Sequence, residues 1–148
     1  MLIRCIKNKG NYPELVLPVD CTKPISNSNF EATAIGITGD AEDNYLLTVG
    51  RDYPVFGILT YGGDVRYLVN NCEGIPGFYP SALFSILDRD ISPDWSMNLY
   101  TLPDGKLFVA GYDALTKSYD ALLALIREEP RAAEDFLDYQ RALEGWYC

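Results

Sequence analysis

Apolar and polar residues alternate from Leu2 to Asn8, with Ile3 and Cys5 set against Arg4 and Lys7, which predicts a first strand. From Asn11 to Asn29 the pattern is lost. Pro13, Pro18 and Pro24 punctuate small polar residues, so this stretch reads as a loop with one short extended piece at Leu15 to Val19. Thr, Ile and Ala alternate over Phe30 to Thr38, a further strand, and Gly39-Asp40-Ala41-Glu42-Asp43-Asn44 follows as an acidic turn. The strongest β pattern lies mid-chain. Tyr45 to Val49 leads to Gly50, and Tyr53 to Tyr61 is rich in β-branched and aromatic residues. Gly62-Gly63 is a hairpin turn, and Val65 to Asn70 returns as its partner strand. Val65, Tyr67 and Val69 share one face of it, Arg66 and Leu68 the other. Gly74 to Pro80 reads as a turn region, and Ala82 to Leu87 as a short apolar piece ending at Asp88. Trp95 to Thr101 and Lys106 to Gly111 flank Leu102-Pro103-Asp104-Gly105, a second hairpin.

The period then changes. Leu115, Tyr119, Leu122, Leu123 and Ile126 recur at steps of three and four, one face of a helix for which Asp113 is the candidate N-cap. Pro130 stops that helix and suits the first turn of the next. Ala133, Phe136, Leu137, Tyr139 and Leu143 form the second helix's apolar side, with Trp146 near its end. The expectation is an α+β fold in one domain, 1–148: a small SH3-like twisted antiparallel sheet or partly open barrel over 1–111, then a helical hairpin over 112–148 that covers an edge or mouth.

Composition narrows the function. The 148 residues carry 12 Lys and Arg against 21 Asp and Glu, a net charge of −9, which argues against a general nucleic-acid binder. The absence of His removes Ser-His and Cys-His mechanisms and most zinc sites. Cys5, Cys21, Cys72 and Cys148 are widely spaced and read as buried or idle thiols, not a metal set or a disulfide framework. The first residues form no export signal and no stretch matches a membrane span, so a cytoplasmic protein that does not engage a membrane is expected.

Candidate chemistry is sparse. Asp88-Arg89-Asp90 with Asp94 has the residue types for a divalent cation or for acid–base work, but a solvated turn half-neutralised by Arg89 is the favoured reading. Asp40, Glu42 and Asp43 form the densest acidic patch, a solubilising turn or a surface for a basic partner. Cys72 has no activating neighbour in sequence and is expected to be buried and structural. Gly36, Gly39, Gly62 and Gly63 fit turns and match no phosphate-binding pattern. Among the aromatics, Phe56, Phe84 and Phe108 are expected in the core, and Tyr61, Tyr79 and Trp95, beside turns, nearer the surface.

Three segments carry a resemblance: Leu47-Thr48-Val49-Gly50-Arg51-Asp52-Tyr53-Pro54-Val55-Phe56-Gly57-Ile58, Tyr67-Leu68-Val69, and Phe78-Tyr79-Pro80-Ser81-Ala82-Leu83-Phe84-Ser85-Ile86-Leu87-Asp88. Together with the acidic helical tail, Asp120 to Glu144, they resemble bacterial immunity (antitoxin) proteins of polymorphic-toxin systems, contact-dependent growth inhibition included. The chain departs from that pattern at Pro54, which removes a strand donor, and at Gly77-Phe78, where a Trp is frequent. Residues 1–44 have no counterpart in it. The resemblance implies a binding protein, not an enzyme, with no cofactor and a cognate toxin as partner. A toxin of this kind is often a basic nuclease. Asp40, Glu42, Asp43, Asp88 and Asp90 are then the expected contacts, with Tyr61 as an anchor. The alternative is a peptide- or ligand-binding module with an aromatic groove at Tyr61, Tyr79 or Trp95. A metal enzyme using Glu73, Asp88 and Asp90 ranks last.

Overall fold

The computed structural model describes residues 1–9, 15–18, 32–35, 45–103 and 105–147. The fold is α+β, with open antiparallel sheets followed by helices. Strands β1 (Leu2–Cys5), β4 (Asp52–Pro54) and β8 (Phe84–Asp88) form a three-stranded sheet in the order β4-β1-β8. Strands β5 (Gly57–Tyr61), β6 (Asp64–Asn70), β7 (Pro76–Pro80), β9 (Ser96–Leu102) and β10 (Gly105–Gly111) form a five-stranded sheet, β7-β6-β5-β10-β9. Strands β2 (Leu15–Pro18) and β3 (Ala32–Ile35) pair with each other. Helices α1 (Asp113–Thr116), α2 (Tyr119–Ile126) and α3 (Pro130–Tyr147) complete the chain. No helix among the described residues is long and apolar enough to cross a membrane.

Two apolar clusters hold the layers together. On one face of the five-stranded sheet, Leu59, Leu68, Phe78, Leu107 and Val109 pack against Leu115, Leu122, Leu123 and Phe136 of the helices. On the other face, Tyr67, Val69 and Tyr79 meet Ile3, Cys5, Tyr53 and Phe84, largely from the three-stranded sheet. Strand β6 is therefore buried on both sides, and its pattern of alternating faces does not separate core from solvent. Arg66 lies within it, 1 % exposed, its Nε and Nη2 donating to Asp64 Oδ2 at 3.1 and 3.0 Å. Among the described residues, none of β9 or β10 belongs to the second cluster, and on their outer face Met97 and Leu99 are exposed.

Both hairpins form where turn chemistry places them. Gly62 and Gly63 have φ of +59° and +82°, the left-handed pair that a two-residue turn between twisted strands requires. Leu102 pairs with Gly105 across the second.

Four expectations are corrected. Tyr45 to Val49 is not a strand. Tyr45 and Leu47 are buried, but the segment is held by isolated backbone bonds: the Tyr45 N–H donates to the Asn8 carbonyl, and the Leu46 carbonyl accepts from the Cys72 N–H. Tyr53 to Tyr61 is not one strand, because Val55 and Phe56 carry the chain from one sheet to the other. Pro54 is accommodated because β4 is an edge. Gly74 to Pro80 is not all turn. Pro76–Pro80 is strand β7, again an edge, where pairing with β6 overrides local propensity. Finally, the first helix breaks at Lys117-Ser118. The Thr116 carbonyl accepts from Asn98 Nδ2 at 3.1 Å and Tyr100 Oη at 3.3 Å, and Ser118, not Asp113, caps α2 by accepting from the Ala121 N–H at 3.0 Å.

Candidate functional site

A recess of about 370 Å³ lies where the N-terminus, the β4–β5 link, the β8–β9 loop and α3 converge. Met1, Val55, Ile91, Pro93, Trp95 and Leu143 supply apolar walls, and Asp88, Asp90 and Asp94 the carboxylates. Strand β8 reaches it through an irregular end. The register against β1 shifts between Leu2 and Ile3, leaving Leu87 opposite no partner before Asp88 opens the loop.

The loop is braced by short-range polar bonds. Asp88 Oδ1 accepts from the Asp90 N–H at 2.9 Å, and the Met1 ammonium donates to the Asp90 carbonyl at 2.6 Å. The Trp95 N–H closes a turn onto the Ser92 carbonyl at 3.1 Å, and the Ser92 hydroxyl donates to Asp94. Tyr139 of α3 ties this loop to the helices. Its hydroxyl accepts from Trp95 Nε1 at 3.0 Å and donates to Asp94 Oδ1 at 3.3 Å. The ring stacks on Tyr112 at 4.8 Å. Burial is the main cause that raises the Tyr139 pKa, so the hydroxyl stays a donor across the neutral range. Among the described residues, none of Asp88, Asp90 and Asp94 forms an ion pair, although Arg89 lies in the same loop. The recess is lined by three carboxylates and one cationic group, the Met1 ammonium. Chemically it suits the aliphatic stem and cationic head of a basic side chain.

Asp88 and Asp90 are thus brought together, and Asp94 and Trp95 join them. Asp40, Glu42 and Asp43 lie outside the described residues, as do Cys21 and Cys148. Tyr61 does not line the recess. It ends β5, half-buried beside the helix-facing core. Glu73 is elsewhere too, in the β6–β7 turn with its N–H on Asn71 Oδ1, and the described residues contain no cluster of metal-ligating side chains.

Tyr79 is buried, not exposed, and its hydroxyl accepts from Asn71 Nδ2. Tyr61, Tyr79 and Trp95 therefore do not share one groove. Phe56 and Phe84 are core as expected, whereas Phe108 is half-buried on the open outer face. Cys72 is exposed, contrary to expectation, because it follows β6 in a tight turn. Cys5 is buried, which pushes its thiol pKa up. Met1, Val55, Leu143 and Tyr139 were missed as site residues. Each is apolar or aromatic with no local motif, and only the packing of four distant segments unites them. No protein-family model, no curated protein and no solved structure matches the chain.

Proposed function

We propose that this chain is an immunity protein, a binding inhibitor that neutralises a basic protein toxin and seats one of its Arg or Lys side chains in the recess at Asp88, Asp90 and Asp94. One observation carries the reading. Three carboxylates with no ion-pair partner among the described residues border an apolar recess that includes a tryptophan. A guanidinium there gains charge-assisted hydrogen bonds, and the indole of Trp95 offers a face for a cation. Trp and Arg are the residues that most often dominate interface energetics. The net charge of −9 adds long-range steering toward a basic cleft of the kind a nuclease uses for phosphate.

The test pairs capture with protection. The tagged chain and its D88N/D90N/D94N variant are used as bait in a native lysate, with salt raised from about 0.05 M to about 0.5 M. A single stoichiometric basic protein should be held by the wild type, released by salt and lost with the variant. Its expression alone should arrest growth, and co-expression of the wild type should restore it. A partner held equally by both baits, or one that is harmless when expressed alone, would overturn the proposal.

A further inference from the structure

Among the described residues, strand β9 is an open edge of the five-stranded sheet. The opposite edge, β7, begins and ends with Pro76 and Pro80, residues that discourage further pairing. Strand β9 has no such protection: Ser96–Leu102 contains neither proline nor a charged residue. On its helix side, Asn98 and Tyr100 are tied to the Thr116 carbonyl. On its outer side, Met97 and Leu99 are 70 % and 56 % exposed, and Leu99 stands opposite the half-buried Phe108 of β10.

Alternate residues of an antiparallel edge strand turn their N–H and C=O groups away from the sheet. Closure of the hairpin by Leu102 and Gly105 makes Met97, Leu99 and Thr101 the outward residues. The Leu99 N–H agrees with that phase: it donates to Oδ1 of the neighbouring Asn98 at 3.0 Å, not to β10.

We propose that β9 pairs antiparallel with β9 of a second copy of this chain, about a two-fold axis through Leu99. The strand is self-complementary in that register. Leu99 meets Leu99, Met97 meets Thr101, and every outward residue faces an outward residue. No side chain of the strand opposes a like charge, and the same surface serves both copies, as a closed dimer requires. The two outer faces join into one sheet surface that shields Met97 and Leu99. Asn98 restrains the pairing, because the Leu99 N–H must exchange the Asn98 side chain for the carbonyl of the second copy. The two molecules each carry −9, so screening by salt strengthens this dimer. The capture of a basic partner responds to salt in the opposite direction.

Sedimentation velocity of the full chain tests this, from about 1 to about 500 µM at about 0.05 and about 0.5 M NaCl. The wild type should show a concentration-dependent dimer, tighter at high salt. Leu99→Lys puts like charges opposite each other at an exposed position. It should lower dimer affinity by at least about 10-fold and leave the circular dichroism spectrum and melting temperature unchanged. Asn98→Ala should tighten the dimer. A wild type that stays monomeric at the highest concentration overturns the proposal. So does a dimer indifferent to Leu99→Lys, or one that dissociates as salt rises.

Discussion

Two residues show how much single atoms decide here. Leu115 of α1 sits directly on the sheet only because Gly57 offers no side chain: a Cβ there would lie 2.8 Å from Leu115 Cδ2 and 3.1 Å from the Ala110 carbonyl. Gly57→Ala should therefore cost about 1–3 kcal/mol in a urea-unfolding series, as overpacking does. Tyr139 is the second case. Its hydroxyl joins Trp95 to Asp94 while its ring stacks on Tyr112 and lies edge-on to Phe56. Tyr139→Phe keeps the ring and deletes both bonds. It should cost about 1 kcal/mol by the same measurement and weaken partner capture more than that loss of stability explains, because the loop bearing Asp94 is no longer held.

At the scale of elements, the helices end by side-chain and backbone chemistry that tertiary neighbours modulate. Ser118 caps α2, so Ser118→Ala should lower stability by about 1 kcal/mol, measured as a fall in the urea midpoint at constant slope. The other end of α2 closes with the Glu129 N–H on the Ala124 carbonyl and the Glu128 N–H on the Leu125 carbonyl. That pattern places Glu128 in the left-handed region, φ +58°, where glycine is usual. Glu128→Gly should raise stability by up to about 1 kcal/mol, the relief of left-handed strain exceeding the entropic cost of glycine. An unchanged or lowered midpoint would show that the Glu128 side chain contributes more than its backbone costs.

For the whole molecule, the tyrosines set the alkaline limit. Burial raises the pKa of Tyr79, Tyr112 and Tyr139 above the ordinary 10.0. The folded state holds these phenols neutral, whereas the unfolded chain releases their protons near pH 10. Their contribution to stability is fully present below that pH and is lost as pH climbs through 10 toward the folded-state values. Unfolding midpoints should fall between about pH 9.5 and about pH 12, in step with the tyrosinate absorbance of the unfolded fraction. With no histidine in the chain, no imidazole titration modulates stability around neutrality.

The sequence by itself determined the features that local chemistry controls. Gly62-Gly63 required a hairpin because few other residues accept that backbone, and Pro103 to Gly105 required another. The three-and-four spacing from Leu115 to Ile126 and from Phe136 to Leu143 made helices, and the composition made an acidic molecule without imidazole chemistry. The tertiary structure decided what depends on contacts between distant segments. It set β1 between β4 and β8, buried β6 on both faces, divided Tyr53 to Tyr61 between two sheets and split the first helix where β9 claims the Thr116 carbonyl. Of the recess, the carboxylates Asp88, Asp90 and Asp94 and the aromatic Trp95 stood out beforehand, since charge and aromatic character are legible residue by residue. Met1, Val55, Trp95, Tyr139 and Leu143 meet only after the sheets and helices pack, because periodicity records which face is apolar and not which distant face will cover it.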